Sequence, residues 1–426
     1  KVKAYIALHN CYGVDLNESA VELAEVSIWL NVMYPGLQAP WFGLHLRRGN
    51  SLIGAARRVY SPESLIKGTW LKETPEDFPF SSGPLPKGKV HHFLLPAEGW
   101  GLIASAHEAK ELAPAEAKRL AEWRKKIRKR VSDKKSGGWK QSQLRRLQSL
   151  SKRVEYLWDL VQQRLSISEV EISRRIPVWG ADWLEHPDKV VSKEKIYADL
   201  TAPGTPYWRL KKVMDTWCAL WFWPVERVGL LDGSDEIYAR RVLAAEPNRS
   251  SVERIRPLIP LANLDDWLDF AEAVLGRVDV PEDSLASFAT LADLEEYENE
   301  LPLWMGMDSE LKLADRFPWL QTAEEISSRL GFFHWELEFA QIFKRGGFDL
   351  QVGNPPWVRP RWEEASVLAE IDPWFVLTAR PSVSEWTDRK SDIVRDDRWR
   401  IYYTRMLAEI IGISEFLASP ATYPLL

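Results

Sequence analysis

Cysteine is nearly absent: the 426 residues contain two, Cys11 and Cys218. Two thiols so far apart make neither a metal knuckle nor a disulfide-stapled secreted scaffold, so both are expected as buried thiols. Long apolar runs are lacking as well. The longest, Thr216 to Val225, is about half the roughly 20 residues of a membrane-spanning helix, and no signal peptide opens the chain. A cytoplasmic protein with no membrane partner is expected. Histidine is scarce, and His91-His92 have no further His or Cys at ligand spacing, which leaves them to a strand edge and implies no metal. The stretch Gly83 to Val90 has the spacing of a phosphate loop. Val90 stands there in place of the Mg-binding hydroxyl, however, and two prolines remove amide donors from the cradle. No acid-and-lysine cluster reads as a nuclease centre, and no internal repeat is visible.

What is present describes a globular protein. Hydrophobic residues at 45% and 22 tryptophans exclude a disordered or collagen-like chain, and the length exceeds that of one ordinary domain. The first residue is Lys rather than Met, and the end, Ala421 to Leu426, is an apolar phrase without a helix stop; a fragment of something longer is expected. The net charge of −5 hides a strong asymmetry. Between Lys118 and Arg153 stand fifteen Lys and Arg against Glu122 and Asp133. Leu120, Trp123, Ile127 and Val131, then Leu144, Leu147, Leu150, Val154 and Leu157, recur at helical spacing around a Ser136-Gly137-Gly138 turn. A basic helical hairpin over about 108–165 is expected to project and to meet DNA phosphates through Lys125, Lys126, Lys129, Lys134 and Lys135; a solvated coiled-coil face is the competing reading. Its opposite is the acidic, helical stretch from Asp265 to Glu300.

The two flanks read differently from this helical middle. Tyr12-Gly-Val-Asp-Leu16 is a short apolar strand ending in an acid, and Asn17 opens a helix running to Leu30. Phe42 to Leu46 reads as the next strand and leads into Gly49-Asn50-Ser51-Leu52. Far downstream, a helix over His334 to Phe343 precedes a strand over Phe348 to Val352, which runs directly into Gly353-Asn354-Pro355-Pro356-Trp357. Strands alternating with helices predict an α/β fold whose parallel sheet presents all three phrases at its carboxyl ends. The expected organisation is a core in two parts, 1–60 and 331–426, separated by a mainly helical insertion over 61–330.

Asn354-Pro355-Pro356-Trp357 suits methyl transfer to an exocyclic amine. The adenine amine is a poor nucleophile because its lone pair is delocalised into the ring. The Asn354 side-chain oxygen and the Pro355 carbonyl can accept from its two N–H groups, and two prolines bias the backbone toward extended geometry. Trp357 offers a stacking face for a base taken out of the duplex, worth about 1–3 kcal/mol; a rigid surface turn is the plainer reading. Asp15 could hold both ribose hydroxyls of a nucleoside-type cofactor, or be an acid near a helix N-cap. Asn50 supplies a donor and an acceptor for an adenine ring, or simply forms a turn.

Together these residues resemble the N6-adenine DNA methyltransferases found as large methylases of type IIG restriction-modification enzymes and of phage-defence systems such as DISARM and BREX. Tyr12 to Ala24 looks like their second motif, Gly49 to Gly54 their third, and Phe348 to Trp357 their fourth. The resemblance implies an incomplete Rossmann-like core and S-adenosylmethionine as cofactor. It implies Asp15, Leu16, Asn50, Ser51 and Leu52 around the cofactor, and Asn354, Pro355, Pro356 and Trp357 around the target base. Double-stranded DNA with a flipped adenine, contacted also by Arg359 and Arg361, would be the partner, with other defence-system subunits as further candidates. The family's first motif, a Gly-rich loop, has no counterpart here, so the chain alone is expected to be inactive. A protein glutamine methyltransferase, which also uses Asn-Pro-Pro-aromatic, and a catalytically silent DNA-binding piece are the alternatives.

Overall fold

The carboxyl end of the first strand passes straight into a helix because Asn17 caps it: the Asn17 side chain accepts from the Ser19 amide at 3.0 Å, the usual device at a helix N-terminus. In this computed structural model, residues 1–37, 42–134, 141–172, 193–243, 257–279, 287–354 and 360–423 are described. The first part holds α1 (Val2–His9), β1 (Gly13–Asp15), α2 (Glu18–Val32) and β2 (Leu46–Arg48). β1 and β2 run parallel, with Gly13 opposite Leu46, Val14 opposite Arg47 and Asp15 opposite Arg48. The strand expected over Phe42–Leu46 therefore begins later. Phe42 and Leu44 are buried in a turn, with the His45 and Leu46 amides bonded back to the Phe42 carbonyl.

A second sheet is antiparallel, with β3 (Arg58–Tyr60) between β4 (Glu76–Asp77) and β5 (Val90–His91). Around it the molecule is mostly helical: α3 (Pro114–Ile127), α4 (Gln143–Ile172), α5 (Pro206–Ala219), α6 (Leu264–Leu275), α7 (Leu320–Leu330), the short α8 (Trp335–Glu338) and α9 (Ala340–Lys344), and α10 (Asp397–Ala418). Local chemistry sets several of these ends. Thr205 caps α5 with Pro206 at its first position, and Asn263 with Asp266 forms a reciprocal capping box on α6.

The tryptophans explain how an irregular stretch such as 92–106 can sit inside this core. Trp70, Trp217, Trp267 and Trp100 are all nearly inaccessible. Each donates its indole N–H to a backbone carbonyl: Trp70 to Pro96 (3.1 Å), Trp217 to Leu95 (2.8 Å), Trp267 to Leu94 (2.8 Å) and Trp100 to Trp217 (3.0 Å). A large apolar ring with one donor both fills the interior and satisfies a loop carbonyl that a leucine would leave bare.

The basic stretch does not project. Leu120, Trp123, Ile127, Leu147, Leu150, Val154 and Leu157 are buried, and α4 packs along α6, α5 and α9. The two oppositely charged segments meet each other. Arg146 reaches Asp269 at 2.5 Å, Glu272 at 2.8 Å and Asp265 at 3.3 Å. Arg153 pairs with Asp279 at 3.2 Å and Arg164 with Glu298 at 2.6 Å. Buried guanidinium forks can satisfy several carboxylates at once, so part of the positive charge is consumed internally.

Candidate active site

The two cofactor phrases lie side by side. The Gly49 amide donates to the Asp15 carbonyl at 2.9 Å, which brings the residues after β2 beside the end of β1. Asn50 then forms an isolated parallel bridge with Phe332, its amide donating to the Gly331 carbonyl at 2.6 Å. Asp15 and Leu16 are exposed there, Ser51 is exposed, and Asn50 and Leu52 are half-buried. The plainer roles of both polar side chains are also realised. Asp15 Oδ1 accepts from the Asn17 amide at 2.8 Å, and Asn50 Oδ1 accepts from the Leu52 amide at 3.1 Å. Each leaves one polar atom, Asp15 Oδ2 and Asn50 Nδ2, without a partner among the described residues. A carboxylate oxygen and an amide donor at adjoining strand ends suit the hydroxyls and the ring nitrogens of a nucleoside.

The downstream phrase arrives at the same strand. Phe348 stacks edge-on against Tyr12 at 5.6 Å, and against Phe339 at 5.6 Å and Phe343 at 5.8 Å. Tyr12 immediately precedes β1. The expected strand over Phe348–Val352 is not formed: these residues have no ladder partner among the described residues, and Leu350 and Val352 are 80% and 86% exposed. A strand needs a neighbour to bond its amides, and here the anchor is the aromatic one at Phe348. The helix expected over His334–Phe343 is split into α8 and α9 at Phe339, whose ring is buried. Asn354 is exposed. Pro355, Pro356, Trp357 and Arg359 lie outside the described residues, as does Lys135. Arg361 is exposed.

Two clusters that sequence reasoning missed, the first half-buried and the second buried, join the halves of this site. Glu169 of α4 accepts from Tyr12 Oη at 2.8 Å and from Gln341 Nε2 at 2.8 Å, and pairs with Arg345 at 3.3 Å. Tyr12 also stacks on His45 at 4.2 Å, and burial holds the His45 imidazole neutral, with its pKa lowered to about 3. In the second cluster the Ala55 amide donates to His334 Nδ1 at 3.0 Å, so His334 Nε2 carries the proton that it donates to Asp215 Oδ1 at 2.9 Å. Lys211 Nζ donates to Asp215 at 3.0 Å and to the Phe332 carbonyl at 3.3 Å. Burial alone would raise the Asp215 carboxyl; Lys211 and His334 overcome it and hold the pKa at about 2. The cluster clamps residues 332–334 onto 53–55, just behind Asn50. Lys211 and Asp215 stand four apart on α5, the one part of it that spacing could have flagged.

Of the expected DNA-contacting lysines, Lys125, Lys126, Lys129 and Lys134 are exposed along the end of α3 and the turn after it. Their ammonium groups have no ion-pair partner among the described residues. His91 and His92 are fully buried at the β5 edge, with His91 Nε2 on Glu155 at 2.8 Å and His92 Nε2 on the Ala56 carbonyl at 2.9 Å. Among the described residues no group of His, Cys, Asp and Glu could hold a metal, and no helix is long and apolar enough to cross a membrane. Both cysteines are free; Cys218 is buried as expected and Cys11 only partly so.

Residues 252–373 match the family described as Eco57I restriction-modification methylase. The matched stretch is less than a third of the chain and includes Asn354 and Arg361. It supports a DNA methyltransferase of the restriction-modification type. No curated protein and no solved structure matches the chain.

Proposed function

We propose that the chain carries the cofactor pocket and the target-base motif of an enzyme that methylates N6 of adenine in DNA, in restriction-modification or phage defence. Its core would be a Rossmann-like methyltransferase sheet, of which β1 and β2 are two strands. The observation that carries this reading is the adjacency of Asp15 and Asn50 at parallel strand ends, with the chain leading to Asn354 pinned by Phe348 onto Tyr12. The family match over the segment containing Asn354 points the same way.

S-adenosylmethionine would supply, when bound, a methyl group on a sulfonium. Asp15 would accept from its ribose hydroxyls, and Asn50, with Leu52 beside it, would meet its adenine. Asn354 and the Pro355 carbonyl would accept from the two N–H groups of the extruded target, while Trp357 stacks on its ring. As the nitrogen lone pair bonds to the methyl carbon and the carbon–sulfur bond breaks, those acceptors hold the amine protons, one of which leaves only after transfer. Positioning and preorganised acceptors do most of the catalysis in such a reaction.

The test is tritiated-methyl incorporation into DNA by the parent enzyme, followed by nucleoside analysis of the product. N6-methyladenosine is expected. Asn354→Ala should reduce turnover by at least about 100-fold, as loss of a transition-state acceptor does, while cofactor affinity stays close to parental. Label in protein glutamine instead of DNA, or an Asn354→Ala enzyme running at parental rate, would overturn the reading.

A further inference from the structure

Six residues beyond Asn354 the chain enters a cleft of about 300 Å³ lined by Pro360, Arg361, Trp362, Ile410, Ile411, Ser414 and Glu415. One wall is the segment 360–362 and the other is α10. The first wall is fixed: Trp362 stacks edge-on against Tyr403 at 5.1 Å, and Tyr403 is itself buried and bonded to Glu364. Arg361 and Glu415 carry opposite charges on the same cleft, yet neither makes an ion pair or a side-chain hydrogen bond among the described residues. Elsewhere in this chain such neighbours find each other, as Arg405 finds Glu226 at 2.6 Å. A donor fork and a carboxylate, both exposed on one cleft beside the apolar edges of Pro360, Ile410 and Ile411, suit a flat, neutral ligand that carries an acceptor beside donors. A phosphate suits them poorly, because Glu415 would repel it. Guanine has that edge: its O6 accepts, and its N1–H and N2 amine donate. Asn354 and Pro360 are at most about 22 Å apart along extended chain, so the cleft is within reach of the strand that delivers the target base.

We propose that this cleft is a second base pocket, taking an unpaired guanine of the bound DNA strand near the methylation target, with Arg361 donating to O6 and Glu415 accepting from N1–H and the N2 amine. The inference rests on the reading of the chain as a DNA methylase, and it adds a specificity-determining pair to it.

The test is fluorescence anisotropy of the chain with labelled oligothymidylate of about 12 nucleotides, a length within the range of single-strand sites. The same strand is then measured with one central guanine, inosine or adenine. Guanine should tighten binding about tenfold or more over thymine alone, in line with a bidentate base contact. Inosine, which lacks the N2 amine, should recover only part of that gain. Glu415→Gln should erase the difference between guanine and inosine, and Arg361→Ala should bring both down to the thymine strand. Equal binding of all four strands, or a guanine preference untouched by Glu415→Gln, overturns the pocket while leaving the methylase reading in place. Failure to bind any strand overturns the pocket and leaves the methylase reading, whose partner is double-stranded DNA, to its own test. A guanine preference in a parent enzyme that methylates no DNA keeps the pocket and removes the methylase reading.

Discussion

Arg146 is nearly inaccessible and holds Asp265, Asp269 and Glu272 together on α6. Arg146→Ala leaves three partly buried carboxylates facing one another, and should cost about 3 kcal/mol, the lower end for a broken buried pair because the acids retain some solvent. Urea unfolding checks this; a loss below about 0.5 kcal/mol would reduce the cluster to surface decoration. The buried histidines set an acid limit. Burial lowers His45 and His92 to about 3, and lowers His91 and His334 as well. A depressed folded-state value means the stabilisation is complete above the unfolded value, about 6.5, and is lost as pH falls toward the folded value. His45 and His92 alone should give a slope of about 2.7 kcal/mol per pH unit once the unfolded chain is protonated, with the loss beginning between about pH 6.5 and 5. A flat stability profile across that window would contradict the burial of these rings.

At the scale of elements, helices were legible wherever caps and periodicity agreed. Asn17 opens α2 one residue before Glu18–Val32, and the apolar repeat from Leu144 to Leu157 is the buried face of α4. Strands were less so. Phe348–Val352 has the composition of a strand, but composition cannot supply a neighbour, and among the described residues the segment forms no ladder and leaves Leu350 and Val352 in solvent. The charge of the α3–α4 region was legible in amount and not in destination, since the α6 partners of Arg146 lie more than 100 residues away in sequence. The lysine edge at the end of α3 stays open to a polyanion. Replacing Lys125, Lys126, Lys129 and Lys134 by Gln should reduce the dependence of log affinity on log salt by about 0.9 for each phosphate no longer neutralised. An unchanged slope would take this edge out of any DNA interface.

Over the whole molecule, the long stretch between Asn50 and Asn354 acts as a brace rather than an appendage. α4 bonds to both flanks through Glu169, reaching Tyr12 on one side and Gln341 and Arg345 on the other. Its Glu155 also holds Arg57 at 2.9 Å and its Trp158 donates to the Glu336 carbonyl at 2.9 Å. Asp15, Asn50 and Asn354 could be picked out from sequence because their chemistry is written in short phrases. The clusters at Glu169 and His334 could not, since each joins residues from three distant parts of the chain and only the Lys211–Asp215 spacing gives a local mark. On this reading these distant parts make one cofactor and base site. Hydrogen exchange with and without S-adenosylmethionine tests it most directly. Slowed exchange at 15–17 and 50–53 together with 349–354 is the expected result; protection confined to one of these segments, or lying elsewhere in the chain, would contradict a shared site.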